Sequence, residues 1–249
     1  MTERTKTRIA FFDMLRGLAI INMVAYHGIY DWVYLFDGSA PWFETHSAYL
    51  WEQAICWTFI LLAGAVCEYS RNLAKHGGLV FACAMVLTVV TACVIPQQII
   101  QFGVLHLLGI SMLVTVCLTA LIKRMPSFLS AAVCFLLFLF LKGIPRGFVG
   151  IGDIPLWYLP DFLYQFSWGF VIGFPKEGFW SSDYFPVIPW MFLFGTGMFL
   201  WRGLRPRWEK QLLRLPKISF LEKIGQHSLL IYMVHQPIIF ALLWFGTHV

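Results

Sequence analysis

The sequence predicts an all-α, polytopic membrane protein with about seven transmembrane helices and one further re-entrant or interfacial segment. Three observations carry that prediction. Of the 249 residues, 59% are hydrophobic and only 12% are charged, against about 25% charged in an average soluble domain. The apolar residues come in runs long enough to cross a hydrocarbon core of about 30 Å. Between those runs the basic residues gather in short clusters. That pattern orients a chain in a bilayer and argues against a nucleic-acid partner, despite the net charge of +5.

In chain order the runs fall at residues 9–34, 49–69, 79–95, 102–122, 128–141, 185–204 and 218–245. A further aromatic stretch, 156–174, is interrupted by Pro160, Asp161 and two glycines, so it reads as a non-crossing segment. The first run follows Arg4, Lys6 and Arg8 as a signal peptide would, but Asp13 and Arg16 interrupt it and no cleavage site follows. It is taken as an uncleaved first span. The six cysteines sit inside apolar runs without metal-ligand spacing, which predicts packing residues and no metal. No internal repeat or low-complexity tract is present, and the chain reads as a single domain over 1–249.

Charge sets the orientation. Seven crossings from a cytoplasmic N-terminus put Arg4, Lys6, Arg8, Arg71, Lys75, Lys123 and Arg124 inside. The cluster Arg202, Arg205, Arg207, Lys210, Arg214, Lys217 and Lys223 joins them, and Lys142, Arg146 and Lys176 are left outside. An eighth crossing at 156–174 would throw the largest cluster outward. With this topology the C-terminus lies outside, as expected for a protein of a bacterial inner membrane.

The first run carries groups that a plain anchor lacks. Asp13, Arg16, His27 and Asp31 share one helical stripe, because Arg16 and His27 are eleven residues apart, close to three turns. Such groups inside a bilayer cost roughly 2.5 to 3.5 kcal/mol each on insertion scales and normally face a protein interior or a wet cavity. Ser228, Tyr232 and His235 recur at i, i+4 and i+7 on one face of the last run, near Pro237. Counted from the span ends, His27, His235 and His106 all reach the outer half of the membrane, where Asp31, Asp161 and Asp183 also lie.

These residues suit acyl transfer. His27 can take a proton from an attacking amine or hydroxyl near neutral pH, or carry an acyl group itself. Arg16, paired with Asp13, can hold an anionic group by its fork of donors. Asp183 precedes a proline-marked helix start at Pro186, Pro189 and Trp190, where free amides suit an anion or water and where an acid also serves as a plain cap. His106, between Leu105 and Leu107, fits a core histidine as well as a site residue.

Four stretches bear a resemblance: FFDMLRGLAIINMVAYH from Phe11, FGVLHLLGIS from Phe102, DYFPVIPWMFLFGTG from Asp183 and GQHSLLIYMVHQP from Gly225. In this order they resemble the heparan-alpha-glucosaminide N-acetyltransferase catalytic domain family over nearly the whole chain. Arg16, ten residues and then His27 also resembles the Arg-x10-His motif of acyltransferase family 3, whose members acylate cell-surface glycans. The resemblance implies transfer of an acetyl or other short acyl group from acetyl-CoA to a sugar or lipid-linked glycan on the non-cytoplasmic side. His27, Asp31 and His235 would be catalytic. Arg16, Asp13, Ser228 and Tyr232 would lie toward the donor, and His106, Asp183, Trp190 and His46 toward the acceptor. Where the family's animal members carry an asparagine in the first-span motif, this chain has His27. Their catalytic histidine falls in the following loop, where His46 is the candidate, so His27 and His46 both stand. A homo-oligomer is compatible with this reading. The rival is a transporter or flippase of a small polar or lipid-linked solute, since intramembrane Arg, Asp and His also mark translocation paths. The missing internal repeat argues against it.

Overall fold

The computed structural model describes residues 8–248, so Arg4 and Lys6 lie outside the described residues. Its helices are α1 (Ala10–Tyr34), α2 (His46–Val66), α3 (Leu73–Val94), α4 (Val104–Cys117), α5 (Thr119–Ile122), α6 (Ser127–Leu141), α7 (Val187–Leu212), α8 (Ser219–Gln226) and α9 (Ser228–His248). A two-stranded antiparallel hairpin, β1 (Phe148–Ile151) and β2 (Ile154–Tyr158), follows α6. The protein is therefore an all-α polytopic membrane protein with one small sheet.

Among the described residues, five helical stretches are long and apolar enough to cross a bilayer: His46–Tyr69, Leu73–Val94, Ser127–Arg146, Val187–Leu212 and Ser228–Thr247. The other two expected spans differ from these for visible reasons. α1 has the length, 25 residues or roughly 37 Å, but carries Asp13, Arg16 and Asp31. α4 has only 14 residues and is continued, after Leu118 leaves helical geometry, by the four residues of α5. Two expectations are corrected. The run 218–245 is not one helix: His227 breaks it into the short α8 and the long α9. The stretch 156–174 is not a re-entrant helix but the outer strand of the hairpin followed by short 3-10 turns.

The described chain forms two compact units. The first comprises residues up to Leu62 together with Arg207 onward. Here α1 lies parallel to α8 and α9. Gly17 faces the Leu221 carbonyl and Gly225 faces the Asp13 carbonyl so closely that a Cβ at either glycine would strike backbone. Further along, Phe36 meets Phe240 with ring centroids 5.2 Å apart. α1 also packs on α2, through Ile20, Met23 and Ile55, with Trp51, Phe59 and Tyr232 around them. Phe43 and Ala48 close the end of this unit against Tyr26 and Ile29.

The second unit runs from Ala63 to Pro206. α3 and α4 cross at Gly77 and Gly109, which sit face to face. Arg202 of α7 ties the neighbouring chain ends together, donating to the carbonyls of Ile122 and Met125 and to the Ser127 hydroxyl. The segments around residues 98–104 and 180–185 are zipped by Ser182 N–H to the Ile99 carbonyl at 3.0 Å and Phe185 N–H to the Phe102 carbonyl at 2.9 Å. Tyr184, half-buried beside them, donates to the Phe170 carbonyl at 2.6 Å, and partial burial pushes its phenol above the usual range.

Candidate functional site

In the first unit the charged stripe of α1 meets polar groups at both of its ends. At the start of the helix, Asp13 is 3% exposed and accepts from two guanidiniums. Arg16 reaches it at 3.1 Å across three residues, and Arg8 binds it through Nε and through Nη2, the latter at 2.9 Å. The hydrogen bond to Asp13 raises the Arg8 guanidinium above its ordinary value, against the opposing effect of burial. Among the described residues Arg16 uses a single N–H on Asp13, leaving most of its fork available.

Three turns further on, the parallel register of α1 and α9 brings His27 to His235, with ring centroids 5.0 Å apart. One turn beyond, Asp31, only 1% exposed, accepts a long hydrogen bond of 3.4 Å from Gln236 Nε2. The two rungs form because His27 and Asp31 are i and i+4 on α1 while His235 and Gln236 are adjacent on α9.

The hydrogen bonds fix part of the proton arrangement. His235 Nδ1 lies 2.8 Å from the Tyr232 carbonyl, and a carbonyl can only accept, so Nδ1 carries the proton and the neutral ring leaves a lone pair on Nε2. That Nε2 is buried and has no hydrogen-bond partner among the described residues, and the same holds for His27 Nδ1 and Gln236 Oε1. Unpaired buried polar atoms are rare and each calls for an explanation. Three of them on neighbouring residues of α1 and α9 concentrate unmet hydrogen-bonding capacity there.

Of the other expected residues in this unit, Tyr232 packs into the Ile20–Met23–Ile55 cluster with its ring 5.5 Å from His235. Ser228 opens α9, half-buried, one turn before Tyr232. His46 begins α2 as an exposed residue with its ring 5.7 Å from Tyr49. Three groups are added that sequence reasoning passed over. Gln236 is one. Glu52 is the second, accepting from the Tyr26 hydroxyl at 3.2 Å. Asn22 is the third, accepting from Trp51 Nε1 at 3.0 Å. An acid inside the second apolar run was the available signal for Glu52. Gln236, a neutral amide next to His235, gave no such signal.

In the second unit the arrangement around His106 is saturated. Gly103 N–H donates to His106 Nδ1 at 3.1 Å. Nε2 then carries the proton toward Thr88 Oγ1 at 3.3 Å, and Thr88 passes its own hydrogen to the Ile100 carbonyl at 2.7 Å. Asp183 Oδ2 accepts from Val104 N–H at 3.1 Å and fills the space where a Cβ on Gly103 would stand. His106 and Asp183 together cap the start of α4. Trp190 is buried between Phe185 and Phe138, at 4.8 and 5.2 Å.

Fold and seam together define a class: a polytopic helical membrane protein with ionisable side chains directed into its first unit. Within that class the family is specific. Residues 8–237 match the family described as heparan-alpha-glucosaminide N-acetyltransferase, catalytic, and the chain belongs to it. Membership makes it an integral-membrane acetyltransferase. No curated protein and no solved structure matches the chain.

Proposed function

We propose that this chain, acting as one domain over 1–249, moves an acetyl or other short acyl group from acyl-CoA to an amine or hydroxyl of a glycan or lipid-linked sugar. The acceptor lies on the non-cytoplasmic side of a bacterial inner membrane. The observation that carries the reading is the His27–His235 pair, 5.0 Å apart, with a buried unpartnered nitrogen on each ring. The family match supports the transfer chemistry and runs through both compact units.

The roles follow from the proton arrangement. The lone pairs on His235 Nε2 and Gln236 Oε1 are acceptors, so the group they await is a donor, as an amine or hydroxyl nucleophile is. His27 takes the proton of that nucleophile as it attacks, or is itself acylated and then relieved of the acyl group by the acceptor. His235 supplies a second basic nitrogen. Asp31 acts on Gln236, holding the amide so that its oxygen faces away from the carboxylate. Acyl-CoA supplies the activated acyl carbon; as the new bond to the nucleophile forms, its C–S bond breaks and coenzyme A leaves as the free thiol with the proton that His27 removed. Arg16, steadied by Asp13, presents its guanidinium to the donor's anionic part. Roughly 16 Å of helix separates Arg16 from His27, a span that suits a long donor lying along α1, with Tyr232 and Ser228 on the facing helix.

The test is incubation of the purified protein with radiolabelled acetyl-CoA, alongside His27→Ala and His235→Ala. Loss of one basic group lowers a general acid–base step by about 10²- to 10⁴-fold, so each variant is expected to lose at least that lower factor in thioester consumption. A stable label on the wild type that His27→Ala abolishes selects the acyl-histidine route over direct transfer. Wild-type turnover that survives His27→Ala moves catalysis to another group, His46 first. A folded wild type that neither binds nor consumes the donor defeats the acyl-CoA reading.

A further inference from the structure

We propose that the β1–β2 hairpin and the turns that follow it form an interfacial anchor. It lies in the headgroup–acyl boundary of the bilayer and inserts Trp157, Tyr158, Phe162, Phe166 and Trp168. This inference goes beyond the acyltransferase reading and stands without it.

The flanking elements set the place. Residues 147–186 begin at the end of one membrane-length stretch, Ser127–Arg146, and finish at the start of another, Val187–Leu212. Among the described residues between them the helical pieces are 3-10 turns of four and three residues, too short to cross. Both ends of the segment therefore emerge at one face of the membrane.

The hairpin has a covered strand and a bare one. In β1, Phe148 is buried and the strand lies on α6. In β2, every residue is exposed, with Trp157 at 70% and Tyr158 at 73%. Paired residues of a sheet share a face and successive ones alternate; with the register broken by a bulge at Leu156, Pro155 and Tyr158 lie on the face of Gly150 and Phe148, and Ile154 and Trp157 on the face of Ile151 and Val149. Both faces are apolar and both are open. A docked protein, a second copy of this chain included, would cover one face of such a ribbon. A surrounding apolar medium covers both. The exposed aromatics continue past the strand in Phe162, Phe166 and Trp168, which makes the patch contiguous in sequence.

Two features fix the depth. The outer edge of the two-stranded sheet is unpaired, and unpaired backbone groups are excluded from the hydrocarbon core. At the boundary, water and headgroups satisfy that edge, and Pro155 has already removed one donor from the strand. Tryptophan and tyrosine prefer that level. The charge at the hairpin tip is matched: Asp153 is 2.7 Å from Arg146, whose guanidinium also lies over the Phe148 ring at 5.0 Å.

The experiment places a nitroxide on the full chain in phosphatidylcholine nanodiscs. A p-acetylphenylalanine replaces Trp157, Trp168 or, as a control outside the patch, Glu177, which avoids the native cysteines. Collisions with oxygen and with a water-soluble nickel complex are then compared by electron paramagnetic resonance. Oxygen is expected to dominate at 157 and 168, and nickel at 177. Nickel dominating at 157 and 168 overturns the proposal by placing the hairpin in water. Exclusion of both reagents with a broadened, immobilised line overturns it in favour of a protein contact such as a second copy. As a check that needs no label, native protein in discs of lipid brominated high on the acyl chain is expected to lose a larger share of its fluorescence than Trp157→Phe. Equal quenching of the two counts against the proposal.

Discussion

His106 and His235 are both buried imidazoles on apolar helices, and their hydrogen bonds put the two rings to opposite uses. His106 has both nitrogens engaged by Gly103 N–H and Thr88 Oγ1, whereas His235 offers Nδ1–H to its own helix and finds no partner for Nε2 among the described residues. A separation of effects is expected. His106→Ala strands the buried Gly103 amide, which costs about 1–3 kcal/mol, so the melting temperature in detergent falls while turnover per folded molecule holds. His235→Ala strands little and is expected to melt near the wild type yet lose turnover by about 10²-fold or more. The reverse pattern would assign the chemistry to the second unit. Sequence spacing made His27, Asp31 and His235 legible, because an ionisable group in an apolar run stands out and the helical period assigns it a face. It could not separate His235 from His106, since that difference lies in partners three to eighteen residues away. Gln236 was illegible for another reason: a neutral amide beside a histidine adds no charge and no period.

At the scale of elements, hydropathy located nearly every helix, since a chain crossing lipid must satisfy its backbone within each segment. The two misreadings have local causes. In Gly225, Gln226, His227 and Ser228 the polar cluster that ends α8 and starts α9 was read as part of one apolar run. The Gly152–Asp153 pair between the runs of β1 and β2 was a hairpin signal hidden by the aromatic composition around it. What hydropathy cannot show is how closely helices approach. α3 carries two adjacent glycines with opposite surroundings. A Cβ on Gly77 would meet Met112 Cβ at 2.9 Å and the Gly109 carbonyl at 3.1 Å, while Gly78 has nothing within 4 Å. Gly77→Ala must push α3 off α4 and is expected to cost about 1–3 kcal/mol, as overpacking does. Gly78→Ala removes only a flexible residue from a helix and is expected to gain up to about 1 kcal/mol. Thermal unfolding of the two variants in the same detergent checks the sign of each. Equal destabilisation would mean that the helices do not cross at Gly77.

For the molecule as a whole, the membrane class was evident from composition, but which side each loop occupies rests on charge. The basic cluster from Arg202 to Lys223 is the heaviest in the chain, and its side of the membrane decides the orientation. The structure adds a constraint that the charge count lacked: among the described residues 147–186 no helix is long enough to cross, so Arg146 and Lys176 belong on one face. α7 is long enough to cross between Lys176 and Lys210, which puts Lys210 on the other. Single cysteines at these three positions in a cysteine-free background, probed with a membrane-impermeant maleimide on intact spheroplasts, test the arrangement directly. Arg146→Cys and Lys176→Cys are expected to react in intact spheroplasts, and Lys210→Cys only after permeabilisation. Labelling of 146 and 176 from opposite sides would require a crossing between them and would send the basic cluster outward. Labelling of 210 alone from outside would keep the fold and invert the orientation, which would put the acceptor side of the reaction in the cytoplasm.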